Sequence, residues 1–364
     1  MTSNHRSESS PARVTVRASQ PRDLLASIPY LLGYHPRSSV VVVGVDGSRL
    51  GASARIDVQD VRHDPIQAGA QVGRLLRQAR VRGVILVVYD DAEAGWLAGL
   101  VAGLERAGLS SLDGWQVTDR HYWPLGDPGA ARPVQDLLSS STSAELVAAG
   151  IAPAPERAEM LGCLEPYPAG LRSALRRAAA RWNPLTDLDR MRAERLWAGV
   201  LADPAVPTPA RSRSCAPPRP LSNPDLALLL AAVERLRGPF LAAVMSNRPP
   251  TEVLAAWRAG GADDELGVDG RQPPDPARTA AAVEVLTHLC RASCGPAAGT
   301  PLAMLALIHW WSGNGAMANL VVERAIAARP DDWLVQHVEA TLLAGTAPRW
   351  VHGGTSAAAI QGSA

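Results

Sequence analysis

Two short segments concentrate the side chains whose types and spacing could do chemistry. Tyr34-His35-Pro36-Arg37-Ser38-Ser39 sets an imidazole, a guanidinium and two hydroxyls ahead of the apolar run Val40-Val41-Val42-Val43. An imidazole titrating near ~6.5 beside hydroxyls is the raw material of acid–base or nucleophilic catalysis. The same residues would also serve as a plain helix exit, with Pro and Ser organising the turn. Asp90 and Asp91 close a second apolar run, at the kind of strand end where open α/β sheets bind ligands. Together with Asp46 or Asp57 they would hold a divalent cation. Alternatively Asp90-x-x-Glu93 caps the next helix, where acids contribute roughly 0.3–1 kcal/mol. A small-molecule or nucleotide site requires a pocket joining Tyr34, His35, Arg37 or Ser38 to Asp90 or Asp91.

Three further clusters have a chemical and a structural reading each. His288, Cys290 and Cys294 fall on one predicted helix, with Cys290 and Cys294 on the same face. Zinc prefers four such ligands, and no second Cys or His pair follows at a familiar spacing, so small buried thiols explain them and no metal site is assigned. Arg172, Arg176, Arg177, Arg181, Arg190, Arg192 and Arg195 would meet phosphate, or form a solvated helix face diluted by Asp187, Asp189 and Glu194. Trp310, Trp311 and Trp333 flank a helix hairpin, as core residues or as anchors for a protein partner.

Composition removes whole classes of enzyme. All 36 basic residues are arginine, so the chain contains no lysine. Schiff-base, phosphate-loop and kinase-type lysine chemistry is therefore excluded. A net charge of +1 argues against broad nucleic-acid binding. Four cysteines, scattered along 364 residues, do not make a disulfide framework. Met1 to Pro11 is polar with no apolar stretch, and no uncharged run reaches the ~18–20 residues that span a bilayer. A cytoplasmic protein without a membrane segment is the expectation, and no cofactor is predicted beyond the divalent metal left open above.

The elements that must position these residues are legible from periodicity. A helix runs from Pro21 to Gly33, with Pro29 kinking or tightening it, and Val14-Thr15-Val16 reads as a short strand. Val40–Val43 and Val84–Val88 have no polar face and suit strands covered on both sides. Asp46-Gly47 signals a hairpin to Arg49–Ile56. A helix over Pro65–Arg80 turns Ile66, Val72, Leu75 and Leu76 inward. Another over Ala92–Ala107 carries Gly95, Gly99 and Gly103 four apart, for close approach to what it covers. Trp115–Asp119 adds a strand, and Thr142 opens a capping box before a short helix. Alternating strands and helices predict an α/β domain with a mostly parallel sheet and one hairpin, over residues 13–160 after a disordered tail of 1–12.

Beyond it everything reads as helix: connecting helices over 161–202, a Pro/Arg-rich linker over 203–220, and an all-α domain over 221–350 before a flexible tail, 351–364. Asn223, as N-cap ahead of Pro224, opens a helix apolar nearly all round. Leu302-x2-Leu305-Ala306-x2-His309, then Ala318, Val322, Ala325 and Pro330, follow tetratricopeptide spacing, a hairpin over 300–345.

Two stretches resemble an actinobacterial family, domain-of-unknown-function family 4192. One is Asp23-Leu24-Leu25 through Ile28-Pro29-Tyr30-Leu31-Leu32-Gly33-Tyr34-His35-Pro36 and Ser39–Val42. The other is Ser312-Gly313-Asn314-Gly315 with Ala316, Ala318 and Pro330, closing at Leu343, Gly345 and Pro348. The resemblance implies an α/β front half, a helical back half and no activity. Members often carry a cysteine-rich turn near Trp123, whereas Pro124–Pro133 here has no cysteine. The leading expectation is a non-catalytic interaction or regulatory protein with an unknown protein partner. A small-molecule, nucleotide or metal-binding enzyme or sensor at the strand ends is the alternative, and nucleic-acid association through the arginines a weaker one.

Overall fold

The computed structural model describes residues 20–46, 49–79, 81–91, 95–148, 152–183, 185–202, 221–260 and 273–350. The expected tails, the linker, the Val14–Val16 strand and the Asp46-Gly47 turn residue Gly47 fall outside the described residues. The described chain divides into two compact units, one of residues 20–73 and 81–157, the other of 74–79, 158–202 and 221–350.

Through residue 148 the order is α1 (Pro21–Leu32), β1 (Ser39–Asp46), β2 (Arg49–Asp57), α2 (Val58–His63), α3 (Pro65–Gln78), β3 (Gly83–Tyr89), α4 (Leu97–Arg106), β4 (Ser110–Val117), β5 (His121–Pro124), β6 (Arg132–Pro133), α5 (Gln135–Leu138) and α6 (Ser141–Ala148). The six strands form one sheet in the order β2-β1-β3-β4-β5-β6. Only β3 and β4 pair in parallel; β1 runs antiparallel to both β2 and β3, and β5 and β6 continue antiparallel. The mostly parallel sheet is thus corrected to a mixed one. Strands β2, β3 and β4 do share a direction, as helical crossovers demand, but β1 is inserted between β2 and β3. A tight hairpin ties β1 to β2, and four valines without a polar face need neighbours on both edges. Val40, Val41, Val42 and Val43 are accordingly all buried. Strands β5 and β6, four and two residues long, are too short to register as periodic runs.

Alternation divides the sheet into two faces. Val41, Val43, Val87, Tyr89, Val117 and Tyr122 pack with Leu24, Leu25 and Ile28 of α1 in one core cluster. Val40, Val42, Leu86 and Val88, equally buried, take the other face, which the crossovers cover. Helices α3 and α4 meet through glycine: a Cβ on Gly103 would lie 2.2 Å from Ile66 O and 2.8 Å from Ala70 N. Gly95 precedes α4 and would meet nothing within 4 Å, so two of the three expected glycines make the close approach. Ile66 contributes its backbone to that contact, and its side chain is 37% exposed rather than inward. At α6 the cap is Ser140, whose Oγ accepts from Ser143 N at 3.1 Å, two residues before the expected Thr142.

The second unit holds α7 (Ala169–Ala179), α8 (Asp187–Ala202), α9 (Asn223–Met245), α10 (Pro250–Arg258), α11 (Pro276–Ala292), α12 (Gly299–Trp311), α13 (Gly315–Ala328) and α14 (Trp333–Leu343). The N-cap of α9 is Ser222, one residue before the expected Asn223, and its side chain accepts from Asp225 N. Trp197 stacks on Phe240 at 4.6 Å and donates to the Phe240 carbonyl at 3.1 Å, so the indole N–H is satisfied inside the core. Ala306, Ala318 and Ala325 are fully buried in the α12–α13 hairpin. Gly313 supplies the positive φ of +80° at its turn, and Asn314 caps α13 through Met317 N.

Replacing Gly103 by alanine forces a methyl against backbone that cannot yield. The loss is expected at about 1–3 kcal/mol despite alanine's better helix propensity, read by chemical denaturation. Gly95→Ala, with open space around it, is expected to stay within about 0.5 kcal/mol.

Candidate functional site

Because β2, β3 and β4 run the same way, their carboxyl ends gather at one end of the sheet, where β1 begins. Ser39 pairs with Asp57 on one side and Tyr89 on the other, and Val117 with Tyr122. The loop before β1 therefore arrives beside the end of β3, which brings Tyr34–Ser38 to the same end as Asp90 and Asp91. Backbone pairing holds it there: His35 N donates to Ala154 O at 3.0 Å, and Ala154 N to Gly33 O at 2.7 Å. Ser38 adopts φ +43°, a left-handed conformation costly for a side-chain-bearing residue, while its carbonyl accepts from Val58 N at 2.9 Å.

Three ion pairs lie at this end. Arg55 grips Asp57 with two bonds, of 2.8 and 2.6 Å. Arg62 reaches Asp90 at 3.3 Å, and the Asp90 carbonyl accepts from the buried Gln116 amide at 2.8 Å. Arg37 and Glu156, both exposed, lie 3.5 Å apart, a pair worth little in solvent. Asp91 is exposed. Asp46 ends β1 at the far end of the sheet from Ser39, so it does not join Asp90. Among the described residues no three His, Cys, Asp or Glu side chains form a metal-holding group.

A cavity of about 60 Å³ opens on the α1 side of this end. Leu25, Ala26, Pro29 and Tyr30 of α1 form one wall, His35 and Tyr89 the next. Val117, Val134, Leu137, Leu138 and Ser143 close it. This cavity takes in His35, and its lining does not include Asp90, Asp91, Arg37 or Ser38. Burial, and next the neighbouring Arg37 charge, push the His35 pKa below the ordinary histidine value. Burial likewise drives the Tyr89 phenol upward, so it stays a neutral hydroxyl. Tyr89 could have been anticipated as the polar last residue of an apolar strand beside Asp90. Leu137 and Leu138, on a single helical turn, carried no such signal.

In the helical unit the three tryptophans separate. Trp311 is buried and belongs to the core, so it is corrected as a partner anchor. Trp310 is half-buried and donates its indole N–H to Thr346 O at 2.7 Å. Trp333, the first residue of α14, is 58% exposed. The Arg237 guanidinium lies 4.8 Å from its ring centre, and Arg237 binds Asp332 at 2.9 Å. Asp332 in turn caps α14 by accepting from Leu334 N at 2.8 Å. Gln336, His337, Ala340 and Leu343 continue the exposed face of that helix.

The remaining clusters are placed by their neighbours. Cys294 lies beyond the end of α11, exposed, while Cys290 is buried and its thiol pushed upward by desolvation, so the two do not share a helix face. His288 hydrogen-bonds the Tyr167 hydroxyl through Nδ1. Arg190 and Arg192 pair with Glu194 at 3.0 Å and Asp189 at 3.6 Å, which dilutes the arginine region.

Ser38→Gly should stabilise the fold by about 1 kcal/mol, seen as a higher denaturant midpoint, because glycine adopts this φ without strain. His35 sets a pH dependence of known sign. Its folded pKa lies below its unfolded one, so its contribution is complete above about 6.5 and declines as pH falls towards the folded value. A His35→Gln variant should therefore show a flatter fall in denaturant midpoint over that acidic window than the parent chain.

A family model described as "Domain of unknown function (DUF4192)" matches residues 21–349. No curated protein and no solved structure matches the chain.

Proposed function

The chain belongs to the DUF4192 domain-of-unknown-function family, and from that premise we propose that it is a non-catalytic interaction or regulatory protein whose helical unit carries the binding surface. One observation carries the reading: an exposed Trp333 held in place by Arg237, which is itself fixed by the capping Asp332. Exposing an indole to water is unfavourable, and holding it rigid removes the entropy that a partner would otherwise have to offset. Tryptophan and arginine are also the residues enriched among interface hot spots. The tetratricopeptide-like spacing of α12 and α13 supports the same reading, since such hairpins build binding surfaces.

Among the described residues no helix is long and apolar enough to cross a membrane, and the proposed partner is a protein. A cytoplasmic location and an actinobacterial source belong to the proposal, the latter resting on the family resemblance alone. Nucleic-acid association is disfavoured by the paired state of Arg190 and Arg192.

Removing the indole with Trp333→Ala should weaken partner capture by roughly 30-fold or more, the loss expected of a hot spot. Competitive pull-downs with full-length parent and variant baits read it. The thermal midpoint should barely move, because only a surface cation–π contact of about 0.5–1 kcal/mol is lost. Equal recovery of the same proteins by both baits would remove Trp333 from the interface and the reading with it.

A further inference from the structure

The cavity beside His35 supports a second binding activity, in the other unit and independent of Trp333. Its walls hold no Asp, Glu or Arg, and the nearby charges Arg55–Asp57 and Arg62–Asp90 already neutralise one another. A charged ligand would lose its hydration there and find no counter-charge. A wholly apolar one would leave polar groups unserved. Pro29 has no N–H, so the carbonyl of Leu25, one turn earlier and on the same cavity wall, lacks its usual helical donor. The hydroxyls of Ser39 and Tyr122 are buried without a hydrogen-bond partner. They stand directly across the sheet from Tyr89 and Val117, two of the lining residues, and therefore on the same face.

We propose that this cavity is a binding site for a small neutral alcohol, an apolar body of about four to six heavy atoms carrying a hydroxyl. The size follows from the 60 Å³ available, room for roughly four waters. A hydroxyl both donates and accepts, matching an acceptor carbonyl on one wall and donor hydroxyls behind the others. The leucines, Ala26 and the valines take the hydrocarbon. The position agrees with the general placement of ligand sites outside the carboxyl ends of parallel strands.

Methyl NMR on the full-length chain tests this with isobutanol as probe, against isobutyrate and isobutylammonium as charged counterparts and xenon as the apolar one. Saturable shifts at the methyls of Leu25, Val117 and Leu137, with isobutanol at least tenfold tighter than either ion, are expected. Ala26→Leu should abolish them by filling the space, and Leu138→Trp, a change at an exposed rim position, provides a second variant should the first not fold. Tyr122→Phe should weaken isobutanol several-fold through the lost hydroxyl. Shifts that never saturate, isobutyrate binding as tightly as isobutanol, or xenon entering where isobutanol does not would each overturn the proposal. Trp333→Ala should leave isobutanol binding unchanged, so this site and the helical surface fail separately.

Discussion

Everything in the sheet unit depends on burying β1. Four consecutive valines offer water no polar face, and an extended strand also presents unpaired backbone along both edges. Placing β1 between β2 and β3 satisfies both demands at once. The hairpin supplies one neighbour. The other must be β3, the second run without a polar face, and it arrives antiparallel because the β2–α3–β3 crossover makes β3 run with β2. Once that is so, the start of β1 and the end of β3 are side by side.

That adjacency creates the candidate site. The loop from Tyr34 to Ser38 is brought beside Asp90 by strand register. The ionic groups there find local partners, Arg55 for Asp57 and Arg62 for Asp90, and so tie down the strand ends. What is left facing the α1 side is apolar, with hydroxyls and one neutral imidazole set among hydrocarbon. Such a surface suits recognition of a small uncharged body far better than acid–base work, for which a carboxylate facing His35 would be wanted.

The helical unit solves a different problem. Its helices are apolar over much of their surface, and small residues at the contacts, Ala306, Ala318 and Ala325 above all, let α12 and α13 approach closely. Polar clamps secure the irregular parts: Arg278 gathers the Ala243, Ser246 and Arg248 carbonyls at the end of α9 and just beyond it, and Glu194, buried, receives Arg190 and Arg258. Against that packed interior, the exposed Trp333 stands out as an apolar group whose position is organised without being covered.

The residues alone were enough to decide what is local. Unbroken valine runs, a glycine after α1, the glycine ladder of α4 and the prolines that end helices act within one or two turns of chain, and they are readable because their physics is short-range. Sheet order and strand direction are set by which distant edges need covering, so the insertion of β1 could not be seen from alternation of strands and helices. The caps of α6 and α9 each moved to an earlier serine, since several neighbouring side chains compete for the same free N–H groups. Trp311 and Trp333 read alike in the chain, and so do Ile66 and Val72. Only packing against other helices decided which of each pair is enclosed, because burial is a property of the neighbours that tertiary structure brings and not of the side chain itself.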